Sequence, residues 1–279
     1  MNKGYKELKT YAQNTWCPGC GNFAILNASK KIFAEKDQKK LVMVAGIGCH
    51  AKLVDYIDLN HFYTIHGRVP ATATGIKLGN PELTVIGFAG DGDAYGEGLV
   101  HLMFAAKRNI DITIVVHNNR VYGLTTGQFT PTSPEGFKGK STPWGSVEKP
   151  FNPLRVMLGA GASFIARSYS NSMKNLRMVI DEAMKHKGFS FVEVLQPCYT
   201  YFNTYDLYNE RVYEMEEIPP GDQVMDKMME WDYGGEGKIP IGIFYRESRP
   251  TYDESMLKGM VPAKREREID IEEFLKGST

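Results

Sequence analysis

Residues 83–119, LTVIGFAGDGDAYGEGLVHLMFAAKRNIDITIVVHNN, read as strand, turn, helix, strand. Residues 83–89 are a short apolar run rich in β-branched and aromatic side chains, the pattern of a strand buried on both faces. From Gly98 to Arg108 apolar residues recur at helical spacing, and the stretch closes on Lys107 and Arg108, cations that suit a helix C-terminus. Residues 111–116 form a second strand. A unit of this kind joins parallel strands, so Gly90-Asp91-Gly92 and Asn118-Asn119 both fall at strand carboxyl ends. That edge is where open α/β sheets bind ligands.

Alone, an Asp-Gly pair is a turn and an Asn-Asn pair is a strand end. Separated by residues 93–117 in this setting, the two motifs carry the residue types that hold a divalent metal against a diphosphate. Mg2+ takes oxygen ligands in an octahedron and keeps phosphate oxygens and water among them. Asp91 supplies a carboxylate, Asn119 an amide oxygen and Val121 a backbone carbonyl. Gly90 and Gly92 let the backbone approach the phosphates, and a helix starting near Ala94 aims free N–H groups at them.

Four cysteines are unevenly spaced: Cys17 and Cys20 form C-x-x-C, while Cys49 and Cys198 lie far downstream. C-x-x-C opening a helix presents two thiolates to one metal centre. Zinc and iron–sulfur clusters both accept four thiolates, so spacing alone does not choose between them. Pro18 and Pro197 each adjoin a candidate ligand and shape its loop. Cys49 ends Gly46-Ile-Gly-Cys49 after the strand at 41–45, on the edge that carries Asp91. A redox centre would have a use there and a structural zinc none, which favours a cluster and leaves zinc or core thiols as the alternative.

The GDG and NN pair is the thiamine diphosphate signature, and the chain around it resembles the β subunit of 2-oxoacid:ferredoxin oxidoreductases. The likeness spans residues 14–205 and includes WCPGCGN at 16–22, GIGCH at 46–50, HGR at 66–68, YGLTTGQ at 122–128, TPWG at 142–145 and QPC at 196–198. It implies thiamine diphosphate and Mg2+ as cofactors, and a 4Fe-4S cluster held by Cys17, Cys20, Cys49 and Cys198. Cofactor contacts implied are Ile47, Gly48 and Cys49 after one strand, His66 after another, and Gly90, Asp91, Gly92 and Asp93 after a third. Asn119, Val121, Gly123, Leu124 and Thr125 complete the set. His66 and Lys52 are the implied catalytic side chains, Lys52 as a partner for a substrate carboxylate. The single-histidine alternative for His66, and for His50, is a hydrogen-bonded structural role. His101 and His117 read as structural.

The implied reaction is CoA-dependent oxidative decarboxylation of a 2-oxo acid to acyl-CoA and CO2, with electrons passing through the cluster to ferredoxin. YGLTTGQ and TPWG look more like the 2-oxoglutarate or broad-specificity branch than the pyruvate branch. No glutamate in the chain can be assigned to activation of the cofactor's aminopyrimidine. Family logic places that half on an α subunit, or on α and γ subunits, so the chain is expected to work only with its partner. Alternatives left open are a pyruvate:ferredoxin oxidoreductase β subunit, a non-redox thiamine diphosphate decarboxylase or carboligase, and a non-catalytic assembly subunit.

Composition narrows the field further. The chain has 279 residues, enough to bury a core without staples. Its 33 basic residues balance 33 acidic ones, which leaves no electrostatic footprint for nucleic acid. No apolar stretch approaches the length of about 20 residues that crosses a membrane, and the N-terminus lacks a signal-peptide core. A cytoplasmic location is expected. Alternating strands and helices predict a doubly wound, mostly parallel α/β sheet with the thiamine diphosphate-binding fold. Residues 1–204 form the cofactor and iron–sulfur domain, and residues 205–279 form a C-terminal extension that packs on the core or the partner. Its charged tail, Lys264 to Glu268, reads as solvated surface. Helices are expected at 20–36, 70–78, 153–158 and after a Ser172 cap, and strands at 41–49, 62–66, 163–167, 190–195 and 239–245. Residues 123–152, rich in Pro, Gly and Ser/Thr, read as a functional loop beside the metal site.

Overall fold

The computed structural model describes residues 2–266. Its elements are α1 (Asn22–Phe33), β1 (Leu41–Ala45), β2 (Asn60–Tyr63), α2 (Val69–Gly79), β3 (Thr84–Gly90), α3 (Leu99–Arg108), β4 (Thr113–Asn118), α4 (Pro153–Gly159), β5 (Phe164–Tyr169), α5 (Met173–Lys185), β6 (Ser190–Leu195), α6 (Tyr205–Arg211), β7 (Val212–Glu214), α7 (Val224–Met229), β8 (Ile239–Arg246) and α8 (Tyr252–Leu257). The strands make one sheet of eight in the order β2-β1-β3-β4-β6-β5-β8-β7. From β2 to β5 every pairing is parallel. β8 joins β5 antiparallel and carries β7 alongside. The doubly wound sheet is therefore as expected, and the residues after Tyr205 extend the same sheet.

The order of strand addition reverses between β1 and β3: β2 is laid outside β1, and β3 starts the march the other way. This switch point opens a crevice at the carboxyl ends of β1 and β3. Gly46 to Cys49 leaves β1 there, and Asp91 leaves β3.

Two apolar layers hold the sheet. On one face α1 and α5 pack with the 3-10 turn Cys49–Tyr56 around Ile25, Leu53, Phe88, Leu176 and Ile180. On the other, α2, α3 and α4 cover Val85, Ile114, Leu102 and Leu154. α5 shows the logic plainly: Leu176, Val179, Ile180 and Ala183 recur at helical spacing and are fully buried. Burying each of the three larger ones contributes about 1.5–3 kcal/mol relative to exposure. A third, aromatic cluster of Tyr169, Tyr208, Trp231 and Tyr233 ties the C-terminal segment down.

Several boundaries differ from expectation. β1 ends at Ala45 rather than residue 49, because Gly48 (φ 149°) turns the chain into the 3-10 turn. β2 lies at 60–63 instead of 62–66: its only partner, β1, runs out where Ala45 pairs Tyr63. The helix expected near Ala94 is replaced by a π-helical turn, Gly92–Glu97, and α3 starts only at Leu99. A Cβ on Gly98 would press on the Asp93 and Gly67 carbonyls, and Tyr122 fills the space above Gly92 and Gly96. These glycines admit the wide turn. Ser172 precedes α5, but its side chain makes no cap bond. Residues 123–152 contain no helix or strand. Of the charged tail, Lys264 pairs with Glu82 at 2.8 Å, while Glu268 and most of the final solvated stretch lie outside the described residues. No helix among the described residues is long and apolar enough to cross a membrane.

Candidate functional site

A cavity of about 90 Å3 opens at the switch point. Its floor is the Gly90–Asp93 turn, its walls are the 47–49 loop and Asn119 to Thr125, and His66 stands at its mouth. All thirteen expected cofactor contacts therefore line one cavity, together with His50, His117 and Tyr122. Lys52 does not reach it. That side chain lines the adjoining cavity and donates to Thr15 Oγ1 at 3.0 Å.

Asp91 sits at the end of β3, 2% exposed. Thr130 and Thr132, from the loop after β4, direct their hydroxyls to its Oδ2 at 2.6 and 3.0 Å. Burial drives the carboxyl up to about 6 against these donors, and no cation among the described residues offsets it. A buried carboxylate without a counter-charge costs several kcal/mol, on the order of what a bound cation restores. Asn119 Oδ1 accepts from Val121 N at 3.1 Å, which fixes the amide and leaves a lone pair free. The donor set is carboxylate, amide and carbonyl oxygen, the hard ligands Mg2+ prefers. These residues fit the implied metal.

Asp93, two residues on, is a different kind of acid. Gly67 N donates to its Oδ1 at 2.7 Å, His66 Nδ1 lies 3.0 Å from Oδ1 and His50 Nε2 lies 3.5 Å from Oδ2. Burial works against ionisation, but His50, His66 and Gly67 outweigh it and hold the carboxyl well below the usual carboxylate range. The two imidazole contacts are off-line, so His50 Nε2, His66 Nδ1 and Asp93 Oδ2 each lack a formed hydrogen bond. Polar groups buried in that condition mark a place for a polar ligand or water. His117, expected to be structural, is buried with its Nδ1 2.7 Å from Asn22 Oδ1 and its Nε2 unpartnered beside the cavity. Sequence reasoning missed Tyr122, whose hydroxyl meets Glu97 at 3.1 Å and whose ring packs over Gly92. The glycines under it were the available signal.

The second cavity, about 170 Å3, is lined by Cys17, Cys20, Cys49 and Cys198, and shares Cys49, Asn119, Gly123 and Leu124 with the first. β1, β6 and the start of α1 deliver these cysteines to one place. All four are free thiols. Burial pushes Cys20 up to about 11 against an Asn22 backbone hydrogen bond, and the charges of Cys198, Cys49 and Cys17 add to the rise. Four thiols that repel one another as anions, around one cavity, fit a cationic iron–sulfur core. Among the described residues, however, no three His, Cys, Asp or Glu side chains stand at coordinating distances.

An open α/β sheet with a GDG turn at its switch point defines a thiamine diphosphate-binding domain. Residues 46–194 match the family described as "Thiamine pyrophosphate enzyme, C-terminal TPP binding domain". Residues 197–259 match the family of the C-terminal part of the pyruvate ferredoxin oxidoreductase beta chain. The chain is 42% identical over 271 residues to the 2-oxoacid:ferredoxin oxidoreductase subunit beta of Sulfolobus sp, covering 90% of this chain and 87% of that one. It is 38% identical to the 2-oxoglutarate synthase subunit KorB of Methanothermobacter thermautotrophicus, over 92% and 90% of the two chains. A solved structure, the 2-oxoglutarate:ferredoxin oxidoreductase from Magnetococcus marinus with 2-oxoglutarate, coenzyme A and succinyl-CoA bound, superposes with a TM-score of 0.87 at 33% identity, covering 100% and 97%. The chain belongs to the 2-oxoacid:ferredoxin oxidoreductase family as a β subunit, and its activity is that of an oxidoreductase subunit.

Proposed function

We propose that this β chain, jointly with an α or α and γ partner, catalyses CoA-dependent oxidative decarboxylation of 2-oxoglutarate and delivers electrons to ferredoxin. Asp91 carries the reading: a buried, uncompensated carboxylate lines the floor of a crevice with Asn119 and Val121. Asp91, Asn119 and the Val121 carbonyl would hold Mg2+, which would neutralise the diphosphate. Thiamine diphosphate, when bound, supplies a carbon nucleophile and an electron sink for a 2-oxo carbon. Cys17, Cys20, Cys49 and Cys198 would hold a 4Fe-4S cluster, which supplies a one-electron acceptor next to that cavity.

The chain's own residues do the positioning. Gly90 and Gly92 keep the turn low enough for phosphates, since a Cβ at either would run into His50 or Tyr122. Asp93, kept ionised by its two histidines, is a fixed anion inside the cavity. His66 Nδ1 lies 3.0 Å from Asp93 and 3.1 Å from Glu97 at the mouth, and these carboxylates raise its pKa. Lys52, on the rim of the adjoining cysteine cavity, would pair with a carboxylate of the substrate. No glutamate among the described residues lines the first cavity, which supports a partner supplying the group that activates the pyrimidine. The loop at 123–152, with Trp144 and Val147 largely in solvent, is the proposed docking surface for that partner. No helix among the described residues is long and apolar enough to cross a membrane, basic and acidic residues balance at 33 each, and the cytoplasm is the proposed location.

The test is anaerobic co-purification with the partner subunits, followed by iron, sulfide and thiamine analysis and a panel of 2-oxo acids with a viologen acceptor. CoA-dependent dye reduction fastest with 2-oxoglutarate is expected. Absent iron and sulfide would favour a non-redox thiamine enzyme, and a preference for pyruvate would reassign the substrate.

A further inference from the structure

Glu193 and Arg167 face each other across β6 and β5, and neither has any exposed surface. Arg167 Nε donates to Glu193 Oε2 at 2.7 Å. Charged pairs buried this deeply in a sheet are weak stabilisers, so their presence asks for a role in specifying geometry. Here the pair is the middle of a longer chain of contacts. Glu193 Oε1 accepts from Asn118 Nδ2 at 2.7 Å, the residue directly before the metal-ligand candidate Asn119. Asn118 Oδ1 in turn accepts from Thr132 Oγ1 at 2.9 Å, and that hydroxyl also lies 3.0 Å from Asp91 Oδ2.

The other end of the network comes from the C-terminal segment. Tyr233 donates its hydroxyl to Glu193 and accepts from Arg167 Nη2 at 2.9 Å. Its backbone carbonyl accepts from Arg120 Nη2 at 2.6 Å, and Arg120 Nε donates to the Thr132 carbonyl at 2.6 Å. Arg120 (φ 61°) and Tyr233 (φ 62°) both occupy the left-handed region, which non-glycine residues adopt only where surroundings enforce it. Trp231 stacks on the Tyr233 ring at 4.3 Å, with the Arg167 and Arg120 guanidinium groups over its face at 5.1 and 5.6 Å. Thr132, Arg120 and Tyr233 thus spend these donors on fixing the surroundings of Asp91 and Asn118.

We infer that Tyr233, with Glu193 and Arg167, is a positioning unit for the metal–diphosphate site: it sets Asn118-Asn119 and the Thr130–Thr132 segment that aims Asp91. Residues 197–259, far from the GDG turn in sequence, thereby form part of the binding machinery. The inference rests on the reading of this cavity as the Mg2+ and thiamine diphosphate site.

The experiment uses the complex with its partner subunits, stripped of cofactor, and measures thiamine diphosphate binding in saturating Mg2+ by tryptophan fluorescence. Tyr233→Phe deletes one hydroxyl and keeps the ring. Tyr213→Phe, from the same segment, loses a hydroxyl that binds only Glu230 and Lys227 and serves as control. The expected result is about tenfold weaker binding in Tyr233→Phe, a loss transmitted through the Asn118-Asn119 and Thr130–Thr132 segments and not a lost ligand contact. The KM for coenzyme A should stay where Tyr213→Phe leaves it, while the Tm falls further than in Tyr213→Phe because buried Glu193 and Arg167 each lose a partner. Glu193→Gln should weaken binding in the same direction, and if that variant does not fold, Tyr233→Phe decides alone. Equal affinity in Tyr233→Phe and wild type overturns the positioning role. A wild-type complex that binds neither Mg2+ nor the cofactor overturns the site reading beneath it.

Discussion

At the scale of single residues the site divides labour between two aspartates two positions apart. Asp91 is held up by burial with no counter-charge among the described residues, while Asp93 is held down by histidines and stays an anion. His66 feels the other side of that contact: Asp93 raises its pKa above 6.5 against burial, and Glu97 adds to the rise. A histidine that gains a partner on folding stabilises the chain fully below its unfolded value, and the gain fades as pH rises through the folded value. Wild type should therefore exceed His66→Gln in stability by more at about pH 5.5 than at about pH 9. Denaturation at both pH values checks this, and a gap that widens with pH contradicts it. Gly46 offers a second handle. A Cβ there would land on the Asp93 carboxylate, so Gly46→Ala should abolish cofactor binding in equilibrium dialysis while the far-UV circular dichroism stays native. The residue types were legible beforehand because GDG, NN and the cysteines each have few chemical uses. Tyr122 and the orphaned nitrogen of His117 were not, since an isolated aromatic or histidine has the same appearance in a core.

At the scale of elements, β3, the π-helical turn and α3 carry Asp91 into the crevice, and the packing of α3 keeps the turn in place. Leu102 is fully buried beneath α3, whereas Val100 stands on its outer face, 62% exposed. Leu102→Ala should cost about 2–5 kcal/mol in urea titrations, and Val100→Ala should stay within about 0.5 kcal/mol. Comparable losses at both positions would mean α3 does not pack as described. α2, with its opening proline, α5, with its apolar stripe, and β6, with its apolar run, were readable from the sequence to within about two residues. The misses fall where an element's end depends on something else. β2 stops when its neighbour β1 stops, and the turn after Asp91 widens because Tyr122 arrives from a loop thirty positions later, bonding the Gly92 carbonyl at 3.3 Å. Local patterns carry no trace of either partner.

At the scale of the molecule, two cavities sharing one wall bring a diphosphate site and four thiols together, at the edge the strand order opens. That juxtaposition was foreseeable from Cys49 and Asp91 ending neighbouring strands. The tie between the C-terminal segment and Asn118 was not, because it depends on the registers that set Glu193 opposite Val116 and Arg167. If the four cysteines form one centre, replacing any one with Ala should bleach the visible absorbance of the anaerobic complex, and an unchanged spectrum in Cys49→Ala would remove that residue from the set. The chain purified without its partner should show no CoA-dependent decarboxylation, and appreciable turnover would refute a site shared between subunits. The most direct test of the whole account is calorimetric titration of thiamine diphosphate with Mg2+ into the cofactor-free complex, wild type beside Asp91→Ala. Saturable binding in wild type that disappears in the variant is the predicted result. Undiminished binding in Asp91→Ala would contradict it.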